Sequence, residues 1–543
     1  MQLSYAHGAS TTPLLGETIG RNLARTAARV PDADALIARH QGRRYTYAEF
    51  DAEVDRVARA LIGIGLERGD RLGIWSPNNA EWLLIQYATA RAGVVLVNIN
   101  PAYRTSELEY SLNQSGCRVL VSARAFKTSD YAAMVETVRP RLDSLERTVF
   151  IDSPDWDELL AAGDDVDPEQ LDERAASLQF DDPINIQYTS GTTGAPKGAT
   201  LSHHNILNNG FFIGEYLRYD EQDRVCIPVP FYHCFGMVLG NLACTTHGAA
   251  IVLPAPAFEP EPCLEAVQEE RCTALYGVPT MFIAELEHPS FERYDLSTLR
   301  TGIMAGSPCP VEVMRKVIDR MHMAEVTICY GMTETSPVST QTGADDEFDK
   351  RVSTVGRVHP HVEVKVIDPD DGRVLPRCEP GELCTRGYSV MLGYWDDAER
   401  TAEAIDRGRW MHTGDLATMD DDGYVNIVGR IKDMIIRGGE NVYPREIEEF
   451  LYTHDDVADV QVIGVPDERY GEEIMAWVQL REGAALGDDE LRDWCRGQIA
   501  HYKVPRYVKF VEEFPMTVTG KVQKFKMREQ AIDELGLEVA QTA

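Results

Sequence analysis

The sequence predicts an α/β protein with a large N-terminal domain and a small α+β C-terminal domain. Residues 1–180 and 183–340 each alternate short apolar strands with amphipathic helices. This pattern is typical of parallel sheets flanked by helices, so we expect two doubly wound α/β subdomains. Residues 355–430 alternate polar and apolar side chains at strand period and indicate a β-rich subdomain. A new pattern begins after Ile431, so we place the domains at 1–431 and 432–543.

The first subdomain has clear element boundaries. Residues 46–62 combine a capping box with apolar residues at helical spacing and predict a helix. Residues 71–75 predict a strand, and residues 79–92 predict a helix that Gly93 ends. Residues 151–182 are rich in acidic side chains, which predicts a solvated connection.

A stretch rich in glycine and hydroxyl side chains follows that connection. Residues 183–188 alternate like a half-buried strand, and Ser202 is a suitable N-cap for the next helix. The strand-to-helix loop between them offers backbone N–H groups and one lysine to the oxygens of a polyphosphate. The loop consists of Thr189, Ser190, Gly191, Thr192, Thr193, Gly194, Ala195, Pro196 and Lys197. It is not a Walker A motif, because Pro196 stands where that motif has its second glycine.

Composition and charge exclude several classes of protein. The 543 residues are 44% hydrophobic and 26% charged, and their formal net charge of −34 argues against binding to nucleic acid. We find neither a secretory signal nor an uncharged apolar stretch of ~18 residues, so we expect no membrane span. The eleven cysteines form no CxxC pair, which indicates free thiols in a cytoplasmic protein.

Loops rich in glycine and proline follow the later strands. Residues 224–233 predict a strand that ends in an aromatic–histidine turn, and residues 276–279 and 300–308 are strand ends. In open α/β sheets, ligands gather at such carboxyl ends. Residues 330–337 read alone as a polar loop.

The loop 189–197 and the run Tyr-Gly-Met-Thr-Glu at residues 330–334 together resemble the motifs of the adenylate-forming enzymes. This superfamily contains acyl-CoA synthetases, adenylation domains of peptide synthetases and luciferases, and the resemblance covers nearly the whole chain. It implies that the loop and Lys197 bind the β- and γ-phosphates and that Tyr330 covers the adenine. Thr333 then reaches the α-phosphate, and Glu334 is the Mg²⁺ ligand. The remaining cofactor-binding residues expected here are Gly306, Ser307, Pro308, Gly331 and Met332.

The resemblance extends to a ribose site. Residues 410–415 end in Asp415, which by analogy accepts hydrogen bonds from both ribose hydroxyls. Arg430 then contacts the ribose from the other side.

The resemblance also implies that the C-terminal domain is mobile. It would rotate about a hinge at Lys432 between two half-reactions. In the first, Lys521 bridges the substrate carboxylate and the α-phosphate. In the second, a loop containing Gly438 and Gly439 admits CoA. The expected catalytic residues are Lys521, Lys197, Thr333 and Glu334.

Within the superfamily, the chain most resembles the medium-chain fatty acyl-CoA ligases of the acyl-CoA synthetase family member 2 type and related bacterial synthetases. Residues 4–10, 97–103, 389–395 and 520–528 carry this resemblance. It implies an ATP-dependent fatty acyl-CoA ligase that converts a medium- to long-chain acid, ATP and CoA into acyl-CoA, AMP and pyrophosphate through an acyl-adenylate. ATP, Mg²⁺ and CoA are the expected cofactors and co-substrates, and the partners are small molecules. A homodimer is left open.

The expected acyl pocket is apolar. Its candidates carry no cation beyond a histidine ring, which fits an aliphatic monocarboxylic acid. They are Phe231, Tyr232, His233, Met237, Tyr276, Met304, Met332 and Val338.

Three alternative functions remain. An aryl-acid CoA ligase has the same fold. An acyl-AMP ligase that loads a carrier protein is disfavoured, because residues 340–400 contain no large insertion. A catalytically silent nucleotide-binding regulator is disfavoured, because the chain retains the whole set of motif residues. These are Lys197, Glu334, Asp415, Arg430 and Lys521.

Overall fold

The computed structural model describes residues 2–189, 196–307, 309–437, 440–467, 469–496, 498–517 and 521–537. By its internal contacts the chain forms two compact units. The larger unit comprises Ala6–Val364 and Thr385–His412. The smaller unit comprises Met1–Tyr5, Lys365–Cys384 and Thr413–Ala543.

The strands are numbered in chain order. Those of the first half of the chain are β1 (Tyr5–His7), β2 (Asp34–Ala38), β3 (Arg43–Thr46), β4 (Arg71–Trp75), β5 (Val95–Asn98), β6 (Val119–Ser122), β7 (Ala125–Phe126), β8 (Ser129–Asp130), β9 (Arg147–Phe150), β10 (Pro183–Thr189), β11 (Lys197–Ser202), β12 (Arg224–Cys226) and β13 (Ala250–Leu253). Those of the second half are β14 (Ala274–Gly277), β15 (Thr301–Met304), β16 (Glu325–Gly331), β17 (Val338–Gln341), β18 (Arg357–Val358), β19 (Val362–Ile367), β20 (Gly381–Gly387), β21 (Gly393–Tyr394), β22 (Met411–Met419), β23 (Val425–Arg430), β24 (Ile435–Arg437), β25 (Glu440–Val442), β26 (Val457–Asp467), β27 (Gly471–Leu480) and β28 (Tyr507–Phe510).

The helices alternate with these strands. They are α1 (Ile19–Arg29), α2 (Tyr47–Gly63), α3 (Ala80–Ala92), α4 (Thr105–Ser115), α5 (Tyr131–Val138), α6 (Pro154–Ala161), α7 (Pro168–Ser177), α8 (His203–Leu217), α9 (Ala243–His247), α10 (Pro260–Glu270), α11 (Pro279–Leu286), α12 (Val311–Arg320), α13 (Phe348–Ser353), α14 (Ala398–Ala404), α15 (Pro444–Leu451), α16 (Asp488–Cys495) and α17 (Lys524–Leu535). A π-helix, Phe235–Leu242, leads directly into α9, and single 3₁₀ turns lie at Arg39–Gln41, Arg139–Arg141, Phe291–Arg293, Thr333–Thr335 and His501–Lys503.

Two mixed sheets form the larger unit. The first has the order β21-β11-β10-β5-β4-β6-β9 and the second β18-β17-β16-β15-β14-β12-β13-β2-β3. Their central strands run parallel. Strands β5, β13, β14 and β15 are buried along their whole length, as expected when helices cover both faces. The predicted α/β fold class is therefore confirmed.

The remaining sheets are mainly antiparallel. The β-rich region has the order β1-β19-β20-β22-β23. The C-terminal part of the smaller unit has the order β25-β24-β27-β26, with β28 beside β27. Helices α15 and α16 contribute Ile447, Leu451 and Leu491 to the core of this last sheet, which is the expected α+β arrangement.

Several helix boundaries lie where the sequence predicts them. Thr46 caps α2 in a full capping box with Glu49. Asn79 caps α3, and Gly93 ends it in the left-handed conformation with φ of 72°. In the same way Ser202 accepts a hydrogen bond from the N–H of Asn205 at the start of α8.

The acidic stretch 151–182 is more regular than predicted, because it contains α6 and α7. Each helix has a proline at its first position, Pro154 or Pro168, where the missing N–H costs nothing. The carboxylates near these N-termini are favourable to the helix dipole, so a high acidic content does not prevent helix formation. Leu160 and Leu171 are buried and attach both helices to the larger unit.

Among the described helices, none combines the length and the apolar content that crossing a bilayer requires.

Candidate active site

Parallel strands bring several of the predicted residues to one edge of the second sheet. Strands β14, β15 and β16 are parallel neighbours, so the chain leaves all three at the same edge. Gly306 and Ser307 follow β15, and Tyr330 lies at the end of β16. Gly331 requires glycine, because a Cβ atom there would lie 1.8 Å from the carbonyl oxygen of Pro337.

The glycine-rich loop joins two strands rather than a strand and a helix. Strand β10 ends at Thr189, β11 begins at Lys197, and these two residues pair across an antiparallel ladder. The strand-to-helix prediction is therefore wrong, because Lys197–Ser202 pairs with β10 on one side and with β21 on the other. Of the loop, Thr189, Pro196 and Lys197 are described. Ser190, Gly191, Thr192, Thr193, Gly194 and Ala195 lie outside the described residues.

Glu334 lies in a buried position beside this hairpin. The residue lies in the 3₁₀ turn Thr333–Thr335 that follows β16, and it is 5% exposed. The hydroxyl of Thr189 donates to Glu334 Oε1 at 3.2 Å, and the hydroxyl of Tyr394 donates to the same oxygen at 2.9 Å. The backbone N–H of Met391 donates to the carbonyl of Glu334 at 2.9 Å. The carboxylate is therefore held by two separate strands.

Lys197 lies next to the same tyrosine. Its Nζ is 5.0 Å from the centre of the Tyr394 ring, which is within the range of a cation–π interaction. Lys197 and the carboxylate of Glu334 thus both contact Tyr394, close to the two ends of the loop 189–197.

This set of side chains fits a hydrated Mg²⁺ ion bound to phosphates. Mg²⁺ retains several waters in such sites and uses one or two protein carboxylates together with substrate oxygens. Glu334 offers one hard oxygen donor group, and Thr189 adds a hydroxyl at hydrogen-bond distance from it. Glu334 would hold the ion, which supplies positive charge to the phosphates when bound.

Most of the acyl-pocket candidates share one hydrophobic core. Phe231, Met237, Tyr276 and Val338 belong to it, with Tyr232 and Met332 packed against it. His233 is half-buried, and its Nδ1 accepts a hydrogen bond from the N–H of Phe235 at 3.1 Å.

Met304 is not brought together with the other candidates. It packs in a second core with Leu275 and Phe282, on the opposite side of β15. Because side chains alternate along a strand, the residue of β15 that shares the core of Tyr276 is Ile303.

The sequence analysis missed a buried polar network that joins two amide side chains of β10 to Asn98 and Cys234. Gln187 and Asn185 of β10 are buried, although the alternation predicted a half-exposed strand. Gln187 Nε2 donates to Asn185 Oδ1 at 2.9 Å, and Asn185 Nδ2 donates to Asn98 Oδ1 at 2.9 Å. Cys234 Sγ donates to Gln187 Oε1 at 3.0 Å, and burial raises the pKa of this thiol to about 12. The amide side chains at alternate positions of β10, Asn185 and Gln187, are the sequence signal that could have revealed this network.

In the smaller unit, Asp415 and Arg430 lie opposite each other in the pairing of β22 with β23. Arg430 Nε donates to Asp415 Oδ1 at 3.0 Å. The Asp415 side chain is 12% exposed and the Arg430 side chain 59%. The N–H of Asp415 donates to the hydroxyl of Thr413, which fixes the turn that carries the carboxylate.

The candidate hinge and CoA loop follow in the chain. Lys432 is exposed. Arg437 forms two hydrogen bonds of 2.8 Å with Glu473, whose side chain is 1% exposed. Gly438 and Gly439 lie outside the described residues.

Lys521 lies at an exposed position before α17. Its N–H donates to the hydroxyl of Thr517 at 3.0 Å, and its carbonyl accepts from the N–H of Thr517 at 2.7 Å. These bonds fix the backbone of Lys521.

Pro308, one of the expected cofactor-binding residues, lies outside the described residues.

Two family models match the sequence. The model described as AMP-binding enzyme matches residues 23–395, and the model described as AMP-binding enzyme C-terminal domain matches residues 446–521.

Known proteins match over nearly the full length. YngI of Bacillus subtilis (strain 168) is 49% identical, over 97% of this chain and all of that protein. The mitochondrial medium-chain acyl-CoA ligase ACSF2 of Macaca fascicularis is 46% identical, over 98% of this chain and 90% of that protein. Among solved structures, the anthranilate CoA ligase AuaEII in complex with anthranoyl-AMP has a TM-score of 0.85 at 27% identity. That match covers 97% of this chain and 99% of AuaEII.

Proposed function

The chain belongs to the family of AMP-binding enzymes, and on this premise we propose that it is an ATP-dependent fatty acyl-CoA ligase. It joins a carboxylic acid to CoA, forming an acyl-adenylate with release of pyrophosphate and then acyl-CoA with release of AMP. The observation that carries the proposal is the buried Glu334 carboxylate, held by Thr189 and Tyr394 beside Lys197. This arrangement provides a candidate metal ligand, Glu334, and a cation, Lys197, at the two ends of the loop 189–197.

The first half-reaction joins two anions, so the chain has to stabilise negative charge. Lys197 binds the β- and γ-phosphates together with the loop 189–197, and Thr333 donates to the α-phosphate. Asp415 binds the ribose hydroxyls, with Arg430 beside it, and Tyr330 covers the adenine. Catalysis then rests on positioning and electrostatic stabilisation, as in phosphoryl transfer generally.

Lys521 acts in this half-reaction only. Its ammonium group neutralises the carboxylate of the acid and an oxygen of the α-phosphate while the new bond forms. For thioester formation, we assign the loop with Gly438 and Gly439 to the pantetheine arm of CoA and Lys432 to the hinge. This division rests on a domain boundary between residues 431 and 432.

An aliphatic acid suits the acyl-pocket candidates. Phe231, Met237, Tyr276 and Val338 are buried in one hydrophobic core, and Met237 lies in the π-helix Phe235–Leu242. The medium-chain part of the proposed medium- to long-chain range also agrees with the name of the relative ACSF2, a medium-chain acyl-CoA ligase at 46% identity. We place the enzyme in the cytoplasm. A homodimer is the oligomeric state that we propose, and light scattering of the purified protein tests it.

Pyrophosphate release tests the proposal directly. Purified protein with decanoate, ATP and Mg²⁺ should release pyrophosphate slowly without CoA and at a sustained rate with CoA. Anthranilate and benzoate in place of decanoate separate the fatty-acid from the aryl-acid reading. If pyrophosphate release is unaffected by CoA but responds to a carrier protein, the acceptor assignment is wrong. If no acid in the panel supports release, the ligase proposal is wrong.

A further inference from the structure

We propose that Tyr394 is a positioning residue that couples the candidate metal ligand Glu334 to the phosphate-loop lysine Lys197. The inference rests on the proposed function, since it concerns the same site. Tyr394 is not part of the phosphate loop or of the Tyr-Gly-Met-Thr-Glu run, and the sequence alone gives it no role.

The phenol hydroxyl fixes the orientation of the carboxylate. Tyr394 and Thr189 both donate to Oε1 of Glu334, at 2.9 Å and 3.2 Å. Neither donor occupies Oε2, so this arrangement holds the carboxylate through one oxygen and leaves the other for a cation. Tyr394 is 8% exposed and Glu334 is 5% exposed, so water does not replace this bond easily.

The ring of the same tyrosine faces the lysine. Lys197 Nζ lies 5.0 Å from the ring centre. The ring therefore limits where the ammonium group can lie, while the hydroxyl on the far end of the ring limits the carboxylate. A single side chain sets the relative placement of a cation and an anion that have to meet one ATP molecule.

Strand pairing explains why Tyr394 occupies this place. Strand β21 pairs with β11, with Tyr394 opposite Ala199. Lys197 lies two residues before Ala199 and therefore on the same face of β11, diagonal to Tyr394. Thr189 pairs with Lys197 on the other side. The side chains of Thr189, Lys197 and Tyr394 thus come from three adjacent strands.

The backbone of Tyr394 is also anchored. Its N–H donates to the hydroxyl of Thr401 at 2.9 Å. The next residue, Trp395, donates its N–H to the carbonyl of Gly198 at 2.7 Å. These two hydrogen bonds hold the backbone of Tyr394 in place, as a residue that positions a metal ligand requires.

The Tyr394→Phe variant separates the two contacts, because it removes the hydroxyl and keeps the ring. We expect the Mg²⁺ concentration that gives half-maximal decanoate-dependent ATP–pyrophosphate exchange to rise about tenfold, the scale of one hydrogen bond to a charged group. At saturating Mg²⁺ the KM for ATP should stay within about twofold. Tyr394→Met removes both contacts, and here the KM for ATP should rise as well.

Matched controls distinguish positioning from a general packing effect. Tyr388→Phe also removes a buried hydroxyl, one that accepts from Asn209 at 3.5 Å, and should leave the Mg²⁺ dependence unchanged. In a Glu334→Gln background, Tyr394→Phe should add no further loss, because the bond it removes then has no carboxylate to orient. Thermal unfolding of each variant checks the fold.

The outcomes separate this inference from the proposed function. Absence of exchange in the wild-type protein would contradict the ligase proposal itself. An active wild type together with an unchanged Mg²⁺ dependence in Tyr394→Phe would overturn the role of Tyr394 alone. If Tyr394→Phe does not fold, Tyr394→Met, which lacks the same hydroxyl, decides the question: an unchanged Mg²⁺ dependence in that variant would overturn the role of Tyr394.

Discussion

Arg430 donates a hydrogen bond of 3.0 Å to the carboxylate of Asp415 from the facing position of the neighbouring strand. The exposed arginine is therefore anchored on a largely buried acid. The hydrogen bond therefore pre-orients the Asp415 carboxylate.

We expect Asp415→Asn to weaken ATP binding more than it slows the chemistry. Loss of the charge on a ribose hydrogen-bond acceptor should raise the KM for ATP by roughly 10- to 100-fold, since such bonds contribute about 1.5–3 kcal/mol. Steady-state kinetics at saturating decanoate measure this. Asp421→Asn, at an exposed position in the turn of the same hairpin, is the matched control. Unchanged KM and kcat in Asp415→Asn would remove Asp415 from the ribose site.

Lys521→Ala should separate the two half-reactions. We expect adenylation to fall by at least ~10²-fold, the scale of one electrostatic donor to a transition state. Thioester formation from pre-made decanoyl-AMP and CoA should be nearly unaffected. Lys526→Ala, an exposed lysine five residues further on, serves as control. Equal losses in both half-reactions would mean that Lys521 does not act in adenylation alone.

Arg437 should be important for stability through Glu473. The side chain of Glu473 is 1% exposed, so Arg437→Met would leave a buried charge that depends on the more distant Arg506, at 3.8 Å. We expect a cost of about 3 kcal/mol in the smaller unit. The double variant Arg437→Met, Glu473→Gln should recover part of it. Calorimetry of the thermal transitions measures both, and equal midpoints for the two variants would show that the uncompensated charge is not the cause.

Buried His359 should contribute to acid sensitivity. Its ring stacks on Tyr216 at 4.7 Å, and burial lowers its pKa to about 3. The unfolded chain, with a histidine pKa near 6.5, binds a proton that the folded protein does not bind between pH 6.5 and 3. Its contribution to stability is therefore complete above pH 6.5 and declines as the pH falls, by about 1.4 kcal/mol per pH unit.

The His359→Asn variant tests this contribution. Its thermal midpoint should fall less steeply between pH 6.5 and 4.5 than that of the wild type, whatever its value at pH 7. Exposed His322→Asn should retain the wild-type slope. A buried His203, also with its pKa lowered to about 3, will keep part of the slope in both variants. Parallel curves for wild type and His359→Asn would contradict the prediction.

The sequence was sufficient for elements with strong local signals. The caps at Thr46, Asn79 and Ser202 and the buried parallel strands lie where pattern and capping chemistry place them. Short segments whose structure depends on distant partners were not predictable. Strand β11 has the sequence Lys-Gly-Ala-Thr-Leu-Ser and becomes a strand because β10 and β21 pair with it.

The candidate site shows the same division. The loop 189–197 and Glu334 can be recognised from their motifs, but the bond between Thr189 and Glu334 joins residues 145 positions apart. Local periodicity cannot show such a contact. The apolar side chain of Met304 suggests a place in the acyl pocket, whereas strand alternation turns it toward the other core.

The hairpin formed by β10 and β11 also has an electrostatic consequence. Lys197 begins the six-residue strand β11, and helix α8 begins at His203, directly after the other end of that strand. The start of α8 is therefore roughly 20 Å from Lys197. The field of a helix terminus fades within its first turn, so α8 offers little to a triphosphate at the opposite end of β11. Under the proposed function, positive charge at that end would come from Lys197 and from a bound divalent cation rather than from the helix dipole. Nucleotide affinity in this protein should thus respond steeply to the choice of divalent ion and to added salt.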